Sequence, residues 1–339
     1  MATRRRRTVL IVMVLTLLMG CTLVAAVYWG TGPSLRCEAP AHGPVRPGWS
    51  ARTVVSNGRE RCYHLYVPSD YDPAHPAPVV VSLHGFLSNP DSQAWISGWQ
   101  QLAEQHGFLV AYPQGTSYPQ RWNAGTTWNS GADDVQFLRD LLDDLNGVAA
   151  VDTSRVYVNG FSNGGGMAVR IACEVADRVA AIGTVAAAVT DLEKCAPARP
   201  VPVVAFHGTA DPIVPYGGGE MQGDPWREGA MLTRGPNTFI GAEQWIARWA
   251  AGNGCEPAPQ AIAPQGDVRG VRYTGCDQGA DVVLYTVEDG GHTWPGGVAI
   301  PAVGKTSRDM AATEEMWQFF QAHRLEDQPP ALSRLLGPH

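Results

Sequence analysis

Three short segments in a fixed order along the chain constrain its fold more than any other feature. The first is Gly160-Phe161-Ser162-Asn163-Gly164, the second carries Asp211 directly before a proline, and the third carries His292 between two glycine pairs. A serine in a G-x-S-x-G pattern occupies a sharp turn between a strand and a helix, and an acid and then a histidine follow it along the chain. The three segments therefore predict a nucleophile, an acid and a base that an α/β fold brings together.

The surrounding sequence alternates between strand-like and helix-like stretches. Residues 78–83 form a β-branched run suited to a buried central strand, and residues 155–159 predict a short strand that leads into Ser162. Helical periodicity follows the serine, and two earlier helices are predicted to end at His106 and at Asn146-Gly147. This alternation predicts one α/β domain with a mostly parallel central sheet and helices on both faces.

The three segments support distinct catalytic roles. Ser162 lies at the exposed bend and is the predicted nucleophile, and His292 lies on a loop from which it can act as the base. Asp211 follows the predicted strand at residues 201–206, where its carboxylate can hold the imidazole in one tautomer. We therefore expect Ser162, Asp211 and His292 to form a catalytic triad.

Two backbone N–H groups are predicted to stabilise a developing oxyanion. One belongs to Asn163, at the start of the helix whose positive dipole end faces the site. The other belongs to Phe86, directly after a buried strand, with Leu87 as the alternative. His84 lies at the end of the same strand and is expected to make hydrogen bonds within the loop rather than to act as the base.

Aromatic side chains are concentrated in loops that could line a substrate pocket. The residues considered as substrate contacts are Trp122, Trp128, Tyr216, Trp226 and Trp294. Their ring faces suit a sugar, a phenolic acyl group or an apolar polyester chain. Ordinary packing of the loops on the sheet is the alternative, and the sequence leaves both open.

The N-terminus predicts export from the cytoplasm. Four arginines at residues 4–7 precede an apolar run over residues 8–29, which is close to the length that crosses a bilayer as a helix. An uncleaved anchor, a signal peptide cut near Val24-Ala25-Ala26 and a lipoprotein signal ending at Cys21 remain open. The chain is therefore expected outside the cytoplasm, secreted or held at the membrane by this segment.

The predicted organisation has four parts. They are a membrane anchor or signal at residues 1–30, a Pro/Gly-rich linker at 31–50, the catalytic domain at 51–325 and a loose tail at 326–339. Six cysteines beyond Cys21 agree with an exported chain, and pairing of sequence neighbours gives three disulfides. The pairs are Cys37–Cys62, Cys173–Cys195 and Cys255–Cys276.

Charge and composition exclude several partners. A formal net charge of −7 argues against a nucleic-acid surface. No Cys/His cluster has the spacing of zinc ligands, so neither a metal nor another cofactor is expected. The sequence leaves the oligomeric state open.

Taken together, these motifs resemble the secreted esterase family that contains polyhydroxybutyrate depolymerases and the feruloyl and acetylxylan esterases of carbohydrate-esterase family 1. The resemblance covers residues 61–320. It rests on Leu83-His84-Gly85-Phe86, Tyr112-Pro113-Gln114-Gly115 and the segments 155–166, 207–216 and 290–297. It implies an α/β-hydrolase fold and ester hydrolysis through an acyl-enzyme.

The expected function is an exported serine esterase that acts on feruloyl or acetyl esters of a polysaccharide, or on hydroxyalkanoate esters. The sequence leaves two alternatives open. The same site could pass its acyl group to a sugar hydroxyl, as an envelope acyltransferase, or the fold could serve a non-catalytic envelope-binding protein.

Overall fold

One ten-stranded sheet organises the protein, as seen in a computed structural model that describes residues 40–117, 120–126, 131–220 and 238–325. The first strands are β1 (Gly48–Ser56), β2 (Arg59–Val67), β3 (Ala77–Leu83), β4 (Leu109–Pro113), β5 (Val151–Phe161) and β6 (Ala181–Val185). They are followed by β7 (Val203–Gly208), β8 (Gly218–Glu220), β9 (Thr238–Ile240), β10 (Gln260–Gln265), β11 (Val268–Tyr273) and β12 (Val282–Val287). The helices are α1 (Pro90–Ser97), α2 (Trp99–His106), α3 (Asp134–Val148), α4 (Asn163–Glu174), α5 (Ala242–Gly252) and α6 (Ala312–Gln321).

The centre of the sheet is parallel and its two ends are antiparallel. The strand order is β1-β2-β4-β3-β5-β6-β7-β12-β11-β10, and the strands from β4 to β12 in this order are parallel. β1 and β2 pair antiparallel over their full lengths at one end. β11 and β10 pair antiparallel at the other end, with a register shift between Ile262 and Gln265. β8 and β9 form a separate two-stranded sheet. The predicted fold class, an α/β-hydrolase with a mostly parallel sheet, is confirmed.

Helices cover both faces of this sheet and bury two apolar layers. Leu138 and Leu141 of α3, Ile171 of α4 and Trp245 of α5 pack on one face. On the other face, Trp99, Phe108, Trp317 and Phe320 belong to the layer beneath α1, α2 and α6. Burial on both sides explains why β3, β4, β6, β7 and β12 read as continuous apolar runs rather than as alternating strands.

The carboxyl ends of the parallel strands lie along one edge and carry the predicted site. In the register, Leu83 of β3 lies beside Gly160 of β5, and Gly208 of β7 lies beside Val287 of β12. The residues that follow these strands include His84, Ser162, Asp211 and His292. The topology therefore collects residues that are far apart in sequence at one edge of the sheet.

The predicted helix end at His106 is confirmed, but the helix before it is divided and one other predicted helix end is wrong. The helix predicted to run to His106 is two helices, because Gly98 takes φ +67° and its N–H caps α1 at the carbonyl of Ala94. Asn146-Gly147 does not end α3, which continues to Val148 and is capped by the N–H of Ala149. The packing of the buried helix face outweighs the cost of about 1 kcal/mol for a glycine inside a helix.

Two of the three predicted disulfides are confirmed. Cys173 of α4 pairs with Cys195, and Cys255, just after α5, pairs with Cys276. These bonds agree with an extracytoplasmic chain. The third predicted pair includes Cys37, which lies outside the described residues.

The N-terminal prediction concerns residues that the structure does not describe. The apolar run at 8–29 and the predicted tail at 326–339 both fall outside the described ranges. Within the described residues the first strand is β1, which starts at Gly48. Among the helices that are described, none has both the length and the apolar character needed to span a bilayer.

Candidate active site

Ser162 occupies a strained turn that joins β5 directly to α4. Its backbone has φ 56° and ψ −118°, a combination that a residue with a β-carbon rarely adopts. Its N–H donates to the carbonyl of Val185, and its own carbonyl accepts from the N–H groups of Gly166 and Ala188. The neighbouring strand and helix therefore hold the strained conformation in place.

The turn requires glycine on both sides of the serine. A β-carbon on Gly160 would lie 2.2 Å from the carbonyl oxygen of Gly164. One on Gly164 would lie 2.3 Å from the carbonyl oxygen of Leu83, at the end of β3. These contacts explain the G-x-S-x-G pattern in this chain, because β5, α4 and β3 approach one another by backbone alone.

Asp211 and His292 form a buried hydrogen-bonded pair. Nδ1 of His292 lies 2.7 Å from Oδ2 of Asp211, and both residues are buried. The other carboxylate oxygen, Oδ1, accepts from the backbone N–H groups of Ile213 and Val214 at 2.8 and 2.9 Å. The turn after β7 thus orients the carboxylate toward the imidazole.

The electrostatics of the pair favour an ionised aspartate. Burial alone would raise the pKa of Asp211, but the charge of His292 and the hydrogen bonds of His207 and His292 outweigh it. The pKa of Asp211 is therefore held well below its usual value. A carboxylate that stays ionised can keep the proton on Nδ1 of His292 and leave Nε2 as the acceptor.

The loop that carries His292 is fixed by a neighbouring segment. The N–H of Gly291 donates to the carbonyl of Lys305, and the N–H of His292 donates to the carbonyl of Val303. A β-carbon on Gly291 would lie 2.1 Å from that Val303 oxygen, so glycine allows the close approach. His292 is therefore held by backbone hydrogen bonds as well as by Asp211.

The loop after β3 lies against the serine turn. A β-carbon on Gly85 would stand 3.5 Å from the β-carbon of Ser162, which places Phe86 one residue from this contact. The alternative donor, Leu87, gives its N–H to the carbonyl of Gln120 at 2.9 Å. That hydrogen bond makes Leu87 the weaker candidate. On the other side of the serine, Asn163 is the first residue of α4.

His84 is a structural residue, as expected from the sequence. The N–H of Gly115 donates to Nε2 of His84 at 3.0 Å, so Nδ1 carries the proton and donates to the carbonyl of Gly85 at 2.7 Å. Complete burial lowers the pKa of His84 to about 4. The neutral ring therefore joins the loop after β4 to the loop after β3, beside Ser162.

This arrangement predicts an acid-sensitive fold. A histidine whose folded pKa is about 4 and whose unfolded pKa is about 6.5 destabilises the folded state progressively as the pH falls from 6.5 to 4. Between pH 7 and pH 4.5 we expect His84 to account for a loss of about 2 kcal/mol in the free energy of unfolding. Urea titrations of wild type and of His84→Gln at both pH values measure this difference.

The His84→Gln variant keeps polar atoms at this position but no longer titrates. Its own loss between the two pH values should be smaller than that of wild type by the same amount. His42→Gln is the matched control, because His42 is exposed and its replacement should leave the pH dependence unchanged. An equal pH dependence in wild type and His84→Gln would contradict the neutral, buried state of His84.

Two of the aromatic residues considered as substrate contacts are packing residues instead. Trp122 is completely buried, donates its indole N–H to the carbonyl of His84 and has its backbone held by the Asn163 side chain. Trp294 is 2 % exposed and donates to Thr313. Both predictions are wrong, because these rings fill space beneath the site rather than face solvent.

Three other aromatic residues were predicted as substrate contacts, and one of them, Tyr216, lies within the described residues. The Tyr216 ring packs edge-on against His207, and its hydroxyl group is hydrogen-bonded to Glu243 and Thr286. Tyr216 therefore packs against His207, which lies next to Asp211, and a contact between Tyr216 and substrate stays a prediction. Trp128 and Trp226 lie outside the described residues.

Two residues near the triad were not identified from the sequence as parts of the site. The ring of Phe161, directly before Ser162, lies 4.8 Å from the His292 ring and so links the serine turn to the base. Nε2 of His207 lies 3.5 Å from Oδ2 of Asp211 and 2.8 Å from the carbonyl oxygen of Val214. In the sequence, only their closeness to Ser162 and Asp211 could have indicated that Phe161 and His207 belong to the site. No group of three or more metal-ligating side chains occurs within the described ranges.

Comparison with known proteins identifies the family. The family described as esterase PHB depolymerase matches residues 61–214. Putative esterase NocK of Nocardia uniformis subsp. tsuyamanensis is 34% identical over 286 residues, which cover 80% of this chain and 82% of NocK. Feruloyl esterase B of Piromyces equi is 35% identical over 233 residues, which cover 66% of this chain but only 41% of that protein.

A solved structure agrees with the fold. The acetyl xylan esterase from Aspergillus awamori superposes with a TM-score of 0.54 at 16% identity, covering 80% of this chain and 99% of that one. At this identity the likeness supports the α/β-hydrolase architecture alone. The sequence matches and the fold together show that the chain belongs to the esterase PHB depolymerase family and is a serine carboxylic-ester hydrolase.

Proposed function

We propose that the protein hydrolyses acetyl or feruloyl esters of a polysaccharide outside the cytoplasm, through an acyl-enzyme on Ser162. The observation that carries the proposal is the buried 2.7 Å pair of Asp211 and His292, at the same sheet edge as the strained Ser162 turn. A serine held at φ 56° directly before a helix N-terminus supports a functional role, because strained backbone is concentrated at active sites.

In the first half of the reaction, Nε2 of His292 takes the hydroxyl proton of Ser162 as its oxygen attacks the ester carbonyl. Asp211 stabilises the imidazolium that forms and stays ionised throughout. The tetrahedral intermediate collapses when His292 gives the same proton to the leaving alkoxide. The alcohol departs, and the acyl group remains on Ser162.

In the second half, water replaces the alcohol. His292 takes a proton from the water as it attacks the acyl carbon, and then returns a proton to Ser162 as the acid is released. In both halves the oxyanion is stabilised by the N–H groups of Asn163 and Phe86, assisted by the positive end of α4. No cofactor is required for either step.

The substrate class is taken from the relatives and remains part of the proposal. The name of feruloyl esterase B refers to feruloyl esters, and that of the acetyl xylan esterase refers to acetyl esters of xylan. The family description names a hydroxyalkanoate polyester instead, and this is the competing class. The domain that we propose for this activity comprises residues 51–325.

The proposed location follows from the disulfides and the N-terminal sequence. Two disulfides among the described residues support an oxidising compartment. The arginines at 4–7 and the apolar run at 8–29 support export, with this segment as a signal or as a membrane anchor.

A fluorophosphonate probe and a substrate panel test the proposal together. The probe should label one tryptic peptide, at Ser162, and prior labelling should abolish hydrolysis of acetylated xylan and feruloylated arabinoxylan. Hydroxybutyrate oligomers should be cleaved more slowly than either polysaccharide ester. Labelling at a different serine would overturn the mechanism, and faster cleavage of the oligomers would overturn the substrate class. Acyl transfer to an added sugar that exceeds release of free acid would identify an acyltransferase instead.

A further inference from the structure

A groove of about 520 Å³ lies beside the candidate active site and contains none of the triad residues. It is formed by α1, α2, the start of α6 and residues 295–299, and we call it the Trp95 groove. Its floor includes the buried Ile96, Leu102 and Thr313. Because no residue of the proposed reaction lines this groove, the groove could bind a part of the substrate other than the ester group.

The wall of the groove presents an exposed indole ring. Trp95 is 50 % exposed, although its neighbours Ala94 and Ile96 on α1 are buried. A tryptophan left half in water gives up much of the hydrophobic stabilisation that burial would provide. Its open ring offers a flat, amphipathic surface for stacking against a ligand.

Beside apolar residues such as Leu102 and Val298, the groove also presents polar side chains whose charges are balanced. Gln101 and Gln105 supply amide groups from α2, while Arg308 and Glu314 supply one positive and one negative charge. This combination suits a neutral ligand with many hydroxyl groups, because each amide and charged group can donate to or accept from a hydroxyl. An apolar polyester would leave these groups without partners, and a polyanion would meet Glu314.

The groove is built from the segment that follows the catalytic histidine. Pro295, three residues after His292, lines it, so the two α-carbons lie within about 11 Å of each other. A β-carbon on Gly297 would lie 2.4 Å from the carbonyl oxygen of Ile96, so this segment lies directly on α1. Arg308 fixes it further by donating to the carbonyl of Gly297 at 2.8 Å. A chain bound in the groove therefore lies near enough to the site to belong to the same substrate molecule.

We propose that the Trp95 groove binds a sugar ring of the polysaccharide whose ester group is attacked at Ser162. The ring stacks on the indole of Trp95, and its hydroxyl groups bond to Gln101, Gln105 and the two charged side chains. This inference rests on the polysaccharide form of the proposed function. It gives the enzyme a contact with the polymer backbone that is independent of the acyl group.

Affinity electrophoresis of the full chain in gels that contain soluble xylan or arabinoxylan tests the groove without any ester chemistry. Wild type should be retarded, and Trp95→Ala should bind about tenfold more weakly, as is common when an aromatic anchor is truncated. The same variant should retain kcat/KM on p-nitrophenyl acetate within about twofold, because the groove does not contact a small ester, and should show a raised KM on acetylated xylan.

Trp49→Ala is the matched control, because Trp49 is similarly exposed at 43 % but lies on β1, outside the groove. Thermal unfolding of both variants establishes that they fold. Equal retardation of Trp95→Ala and wild type, loss in Trp49→Ala alone, or no retardation of wild type by either polysaccharide would each overturn the proposal. Retardation that depends on Trp95 in a protein that hydrolyses no ester would support the groove and overturn the proposed function, so the two failures are distinguishable.

Discussion

Ser162→Ala is expected to lower kcat for p-nitrophenyl butyrate by at least about 10⁵-fold, because no other group can form the acyl-enzyme. The change removes one oxygen atom from a residue that is 5 % exposed and whose backbone is held by three hydrogen bonds. The fold should therefore be preserved, with an unchanged melting temperature. Steady-state kinetics, with stopped-flow detection of any burst of nitrophenolate, measure the loss.

The residual rate of this variant is informative. The hydrogen-bond donors and the binding surface remain, so some acceleration over the uncatalysed reaction is expected to persist. Ser69→Ala provides the control, because Ser69 lies on the surface and bonds to Glu104. Its kcat should match that of wild type. Activity of Ser162→Ala within tenfold of wild type would contradict the role of this serine.

Asp211→Asn is expected to lower kcat by about 10⁴-fold while preserving the fold. The asparagine oxygen can still accept from Ile213 and Val214, as Oδ1 of the aspartate does. The amide nitrogen would then face His292 and donate to Nδ1, which would move the imidazole proton to Nε2. In that tautomer His292 cannot accept the proton of Ser162, and the negative charge that stabilises the imidazolium is also lost.

The control for this variant is another acid close to the base in sequence. Asp289→Asn removes an exposed carboxylate three residues before His292 and should leave kcat within about twofold of wild type. Raising the pH should restore part of the activity of Asp211→Asn, since hydroxide can then substitute for the missing base. If Asp289→Asn were the more damaging change, Asp211 would not be the acid of the triad.

The Ser162 turn and the proximity of Asp211 and His292 could be predicted from the sequence because they depend on short-range chemistry and on strand order. Gly160 and Gly164 are required by a turn only a few residues long, and Asp211 and His292 each follow a recognisable apolar strand. Once the strands are parallel, their carboxyl ends necessarily share one edge. The site could therefore be assembled from local patterns and one rule of topology.

The errors concern features that only tertiary packing decides. Trp122 and Trp294 lie in loops near the site, and nothing local distinguishes a ring that faces substrate from one that fills the space beneath it. The β10–β11 hairpin was missed because β10 is mostly exposed and contains Pro264, so it lacks the apolar alternation of a half-buried strand. Gly98 carried a usable signal, since a glycine after an apolar turn of helix often ends it.

The nine-residue pairing of β1 with β2 has a consequence for producing shortened forms of the protein. β1 is the outermost strand at its end of the sheet. The next strand, β2, carries the buried side chains of Tyr63, Leu65 and Val67. A version trimmed past Ser56 would leave the whole backbone edge of β2 open to pairing with a second molecule, a common route to insoluble aggregates. Soluble forms that lack the apolar N-terminal run should therefore begin before Gly48, so that β1 continues to cover this edge.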